Sequence, residues 1–285
     1  MKTLVIGGSG TVGSRVVSGL VAKGAAVRVL SRTGKNIPAT VEIVLGDLGD
    51  PAAARPAFHG VDEVFLLNAL GPTEANDGIV AVSLARAAKP KRIVYMGVQH
   101  AHRAPHVPHF GSKIGVEAAV KASGIPYTIL QPNMFFQNDA WLKEPITKYG
   151  VYPSPVGDKG CNSVDTRDIA DAAVHALTTD AHDYEGRSLI IAGPTLLTGP
   201  AMAEVWSAKV GKKVVYGGND LEAWGQQAGK MMPGWMVYDI QLMYQHFQDH
   251  GLAATPDELA ACEKIVGHRL RTYEAFATET VAAWG

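Results

Sequence analysis

Three glycines define the chemistry open to this chain. Gly7, Gly10 and Gly13 stand in GxxGxxG spacing, directly after the apolar residues 4–6 and directly before the helical pattern Val12, Val16, Val17, Leu20, Val21. A strand that runs through such a turn into a helix suits the diphosphate of a dinucleotide. Glycine turns sharply, its missing Cβ lets a phosphate approach the backbone, and Thr11, Val12 and Gly13 open the helix with free N–H groups. A tight turn that needs glycine for sterics alone has the same spacing, but the strand before and the helix after favour the ligand.

A second position selects among dinucleotides. In such a fold the residue ending the second strand, about 20 positions past the glycines, meets the adenosine ribose, where a carboxylate takes the 2′-hydroxyl and an arginine takes a 2′-phosphate. Arg32 stands there, with Ser31, Thr33 and Lys35 beside it. The position points to NADP; the plain alternative is a solvated arginine on a surface loop. Farther on, His100, His102, His106 and His109 crowd one short stretch. A metal is not expected there, because the stretch has no carboxylate or thiol and Pro105 and Pro108 break any regular ligand face.

An alternation of strands and helices must position these groups. Strands are expected at 27–30, 41–45, 61–67, 92–96 and 127–130, with a short helix from Pro51 and longer ones at 73–88 and 111–123. That order predicts a parallel sheet with right-handed crossovers and ligands at the carboxyl ends of its strands, where Asp47, Asn68 and Gly97 fall. Past Gln131 to Phe136 the alternation breaks. Residues 141–160 are rich in proline and glycine, 165–177 are amphipathic, and 188–192 form an expected last strand. Helices then dominate (200–210, 221–231, 235–250, 256–262, 273–284), with one short strand at 213–216.

The expected fold is α/β: a doubly wound parallel Rossmann sheet with a smaller, mostly helical substrate domain. Residues 1–132 and 163–193 are assigned to the nucleotide-binding domain, and 133–162 and 194–285 to the small one. Trp206, Trp224, Trp235, Met231, Met232, Met236 and Met243 read either as ordinary core or as the lining for a flat apolar substrate.

Composition narrows the function classes. The 285 residues are 47% hydrophobic and 19% charged, as in an ordinary globular protein. A net charge of -1 gives no electrostatic case for nucleic acid or an anionic membrane surface. Cys161 and Cys262 lie far apart without a CxxC, which suits a reducing cytoplasm. The N-terminal residues reach Gly7 too soon for a signal peptide's apolar core, and no apolar run approaches the roughly 20 residues of a membrane span.

Taken together, these residues resemble the NmrA-like branch of the atypical short-chain dehydrogenase/reductases, which is similar to NADPH quinone oxidoreductases and isoflavone-reductase-like enzymes. The resemblance rests on the glycine turn, Arg32, Gly46-Asp47-Leu48, Lys113 followed by Glu117, the run from Ser123 to Asn133, the run from Asp165 to Ala170, and the tail 267–276. It implies that Asp47 and Leu48 lie along the adenine, Asn68 and Gly97 near the inner ribose, and Pro132, Asn133 and Phe135 beside the nicotinamide. Ordinary short-chain enzymes carry a YxxxK pair, with tyrosine as general acid and lysine on the ribose hydroxyls. Here His109 replaces that tyrosine, four residues before Lys113.

Without the tuned phenol, reversible alcohol oxidation is disfavoured. Reduction of a quinone or conjugated carbonyl is less affected, because hydride charge spreads over the acceptor and Lys113 as a local cation or His109 as a donor suffices. His109 otherwise reads as a loop histidine without chemical consequence. The expected activity is an NADPH-dependent reductase acting on a small quinone-like, enone or aromatic substrate. The alternative is a non-catalytic NADP(H)-sensing regulator, favoured by the missing tyrosine. No nucleic-acid or membrane partner is expected, and a homodimer is left open.

Overall fold

The computed structural model describes residues 1–179 and 182–285. Seven parallel strands form its sheet: β1 (Lys2–Ile6), β2 (Ala26–Ser31), β3 (Glu42–Leu45), β4 (Glu63–Leu66), β5 (Arg92–Met96), β6 (Tyr127–Pro132) and, later in the chain, β8 (Arg187–Ile191). Their order is β3-β2-β1-β4-β5-β6-β8, so the direction of winding reverses between β1 and β4. In a doubly wound sheet such a reversal opens a crevice beyond the carboxyl ends of the strands.

Both faces of the sheet are covered. In β1, Val5 enters one core while Leu4 and Ile6 enter the other, the period of two that a strand buried on both sides requires. On one side pack α1 (Thr11–Ala22) and α5 (Thr166–Thr178); on the other pack α2 (Pro51–Ala54), α3 (Glu74–Ala88) and α4 (Pro108–Lys121). Glycine sets how closely neighbouring helices approach. A Cβ on Gly19 would lie 2.8 Å from Val174 Cγ2, and one on Gly78 would lie 2.4 Å from Val116 Cγ2.

A second assembly is built from 3₁₀ and π turns at Phe136–Trp141 and Pro145–Tyr149, from the small parallel pair β7 (Val151–Tyr152) and β9 (Val215–Tyr216), and from α6 (Gly199–Val210), α7 (Leu221–Ala228), α8 (Gly234–His250) and α10 (Tyr273–Trp284). Its core holds Trp206, Phe136, Phe247 and Phe276. Asp139 is buried among them and accepts hydrogen bonds from Tyr152 at 3.1 Å and from Tyr273. Burial pushes its carboxyl up to about 6, against the opposing pull of the two phenols.

One helix departs from the sequence assignment. α9 (Pro256–Val266), which falls within the small unit's 194–285, packs Cys262, Ile265 and Val266 into the sheet-side core with α5 and β8. The apolar face of a short helix shows that it needs a partner but not which sheet supplies it. The tryptophans and methionines divide: Trp206 is core, Trp224 and Met243 pack against it, and Met231 and Trp235 are exposed at 83% and 40%. No helix among the described residues is long and apolar enough to cross a membrane.

Candidate active site

The glycine turn lies at the mouth of the crevice between β1 and β4. Gly7 adopts φ of +80° and accepts a hydrogen bond from the Gly10 N–H at 3.0 Å, which closes the turn. The three glycines differ in what they accommodate. A Cβ on Gly13 would lie 2.0 Å from Gly7 O and one on Gly7 would lie 2.7 Å from Leu67 O, so Gly13 lets α1 pack on the turn and Gly7 lets the turn pack on the end of β4. At Gly10 the nearest atom would be 3.4 Å away, ordinary contact, so its bareness leaves the approach to the helix N-terminus open. No side chain caps α1, so the N–H groups of its first turn are available to an anion.

Arg32 follows β2 directly, and 76% of its side chain is exposed. Its Nε lies 3.9 Å from a carboxylate oxygen of Asp47, which follows β3. The backbone holds the two loops together, with Gly46 N–H donating to Ser31 O at 3.0 Å. Leu48 packs half-buried against the core beside them. Arg32 and Asp47 thus form one rim of the crevice.

Asn68 lies just past the end of β4, and Glu74 opens α3. The Asn68 amide donates to the Glu74 carbonyl at 3.3 Å, while Asn68 Oδ1 is buried without a hydrogen-bond partner. An orphaned acceptor at that strand end, together with the open Gly10, fits a polar ribose-bearing ligand such as a dinucleotide. Gly97 ends β5 as expected, but a Cβ there would lie 2.5 Å from Glu117 Oε1, so its bareness accommodates a side chain of α4.

Lys113 is on α4 and buried, as the resemblance requires, but it is not a free cation. Its Nζ donates to Glu74 Oε1 at 2.7 Å, and only 2% of the Glu74 side chain is exposed. The sequence reading missed Glu74, which lies 39 residues away and carries no local signal.

His109 also differs from expectation. α4 begins at Pro108, so His109 occupies its first turn rather than a loop. Its Nδ1 lies 2.6 Å from Oδ1 of Asp239 on α8, and its backbone N–H donates to the same oxygen at 3.3 Å. Asp239 is 3% exposed, so this carboxylate takes both contacts out of bulk water. The carboxylate accepts from Nδ1–H and leaves Nε2 as the ring's working nitrogen, the arrangement that orients an imidazole for proton transfer.

Beyond β6, Asn133 is fully engaged. Its amide donates to Gln99 Oε1 and to Leu252 O, both at 2.7 Å, and its Oδ1 accepts from the Met134 N–H at 2.7 Å. Pro132 is buried at the end of β6, and Phe135 is half-buried, bridged to Val164. One set of convergent ligand atoms occurs among the described residues, on Asp168, Asp171 and His268. Arg271 already supplies the cation there, with Nη1 bonded to Asp168 and 2.8 Å from Asp171.

Comparison with known proteins places this geometry in a family. The NmrA-like family model matches residues 1–277, and the chain belongs to that family. A curated relative, the NAD(P)H azoreductase of Xenophilus azovorans, is 31% identical over 299 residues, covering 99% of each chain. Among solved structures, the NADPH-dependent quinone oxidoreductase QOR2 of Escherichia coli, complexed with NADPH, superposes with a TM-score of 0.87 at 22% identity over 99% of both chains. NmrA, a negative transcriptional regulator solved with NADP, superposes with a TM-score of 0.82 at 15% identity, covering 99% of this chain and 96% of its own.

Proposed function

We propose that the protein is an NADPH-dependent reductase whose acceptor is a small quinone-like, enone or aromatic molecule. The observation that carries this reading is the His109–Asp239 pair, a built proton donor on the helix that follows β5. Nucleotide binding alone does not require a proton donor at that place. The named activities of the azoreductase and quinone oxidoreductase relatives point the same way.

In this reading the first turn of α1, with Gly7, Gly10, Thr11, Val12 and Gly13, holds the diphosphate, and Arg32 takes the 2′-phosphate. Asp47 and Leu48 flank the adenine, Asn68, Gly97 and Lys113 face the ribose, and Pro132, Asn133 and Phe135 border the nicotinamide. NADPH, when bound, supplies hydride. His109 holds a proton at Nε2 for the developing anion of the acceptor, and Asp239 steadies the imidazolium. Lys113 and Glu74 together present a nearly neutral, ordered pair, so Lys113 acts by positioning ribose hydroxyls more than by net charge. Residues 133–162 and 194–285, apart from α9, form the acceptor-binding unit. Trp235 lies one turn from Asp239 on α8 and offers an exposed indole to a flat acceptor.

The test is loss of NADPH absorbance with purified protein against a panel of quinones, enones and azo compounds. Turnover that falls in His109→Ala supports the reductase. Thermal stabilisation by NADPH without turnover on any acceptor supports the non-catalytic sensor instead.

A further inference from the structure

The histidines that follow β5 are not used up by this chemistry, and they line a cavity. It measures about 380 Å³ and lies between the turn Ala101–Arg103 and the C-terminal end of α8. His100, Arg103, His246 and His250 line it, together with the main chain of 251–253. Its volume is that of a small ligand site.

One of its basic groups is nearly buried. His246 is only 6% exposed and no hydrogen bond or ion pair engages its ring among the described residues, while Arg103 and His250 are exposed to solvent. A nearly buried imidazole facing a cavity beside exposed basic side chains is placed to donate to an anion. Four basic side chains line the space and no carboxylate does. Glu258 reaches one edge, with Oε1 3.6 Å from His100 Nε2, and Asp249 is bonded to Gln245 at 3.0 Å. The imidazoles do not converge as a metal's ligands would; the converging set is the one around Asp168.

The cavity also shares a wall with the candidate active site. Leu252 O accepts from Asn133 Nδ2 at 2.7 Å, and Ala253 O accepts from Gln99 Nε2 at 2.9 Å. The segment lining the cavity is therefore bonded to side chains at the ends of β5 and β6.

We propose that this cavity binds an oxyanion group of the acceptor, a sulfonate, carboxylate or phosphate, with Arg103 as the fixed charge and His246 and His250 as ring N–H donors. The link to an acceptor rests on the reductase reading; the anion site does not. Binding is proton-linked. Burial, His250, His106 and Arg103 hold His246 below its ordinary value against Asp249, and burial, Arg103 and His102 do the same to His100 against Glu258. A bound anion favours the protonated rings, so affinity rises as pH falls below the usual histidine range.

The test has two arms. Full-length protein is titrated with benzenesulfonate at about pH 5.5 and about pH 7.5, following histidine ring proton signals and heat of binding. Saturable shifts of the His246 and His250 signals are expected, assigned with His246→Gln and His250→Gln, with affinity about fivefold or more tighter at the lower pH and about tenfold weaker in Arg103→Gln. Shifts that do not saturate, or that survive unchanged in Arg103→Gln, overturn the site. In the second arm, ortho-naphthoquinone and its sulfonate are compared as acceptors. Arg103→Gln should raise KM for the sulfonate about tenfold and leave the neutral quinone unchanged. Equal effects on both overturn the link to the acceptor. Turnover of neither overturns the link to a quinone acceptor, while the titration still decides the cavity.

Discussion

His109 and Asp239, separated by 130 residues, meet at 2.6 Å and join the first turn of α4 to the second turn of α8. The sheet unit and the helical unit are thereby coupled at a group with acid–base capacity. If the pair acts as one device, His109→Ala should lower kcat by about 10²-fold and Asp239→Asn by about tenfold, with smaller changes in KM. The double variant should be no worse than His109→Ala. Additive losses in the steady-state cycle would show two independent roles.

Lys113 and Glu74 form a buried ion pair, and removing one partner strands the other. Lys113→Met should cost about 3–5 kcal/mol, measured by urea unfolding, and adding Glu74→Gln should recover much of it. No recovery in the double variant would mean that Lys113 stabilises the fold through contacts other than Glu74.

The glycine turn separates folding from binding. Gly10→Val should fold with a melting temperature within a few degrees of the parent yet lose NADPH binding, whereas Gly13→Val should be destabilised outright, because its side chain would overlap Gly7 O. A folded Gly10→Val that binds NADPH as tightly as the parent would assign that glycine to the turn alone.

Arg32 on the crevice rim should give NADPH about a tenfold or greater advantage over NADH, the scale of a charge-assisted contact of roughly 1.5–3 kcal/mol. Arg32→Glu should abolish or reverse the preference. Equal dissociation constants in the parent would refute the assignment.

Asp139 makes stability fall with rising pH. Its carboxyl is raised from 3.8 to about 6, so between those values the folded chain keeps a proton that the unfolded chain has released. The stabilisation is complete below the unfolded value and is lost as pH rises through about 6, at most about 3 kcal/mol in all. Asp139→Asn should flatten that part of the profile in urea unfolding.

The order of strands and helices was legible because the central strands are largely apolar across both faces and most turns carry glycine or a strand-end polar residue. The glycine turn and the strand-end places of Arg32, Asp47 and Asn68 were legible for the same reason: they follow from the local order of strand and turn. Glu74 and Asp239 were not, since their roles come from helices that meet only in three dimensions. The start of α4 was missed by three residues, although Pro108 at its first position was a readable signal. The placement of α9 against β8 depended on which sheet edge remained open, which periodicity does not record.

The contacts that fasten 251–253 to Gln99 and Asn133 come from the main-chain carbonyls of Leu252 and Ala253, not from their side chains. Leu252 is 4% exposed and packs into the helical unit's core, whereas Ala253 is exposed, so any residue that keeps the backbone course can occupy position 253 without loosening the attachment. This wall is therefore a place where selectivity toward acceptors can drift during divergence, or be redirected by design, while the nucleotide end of the molecule stays as it is.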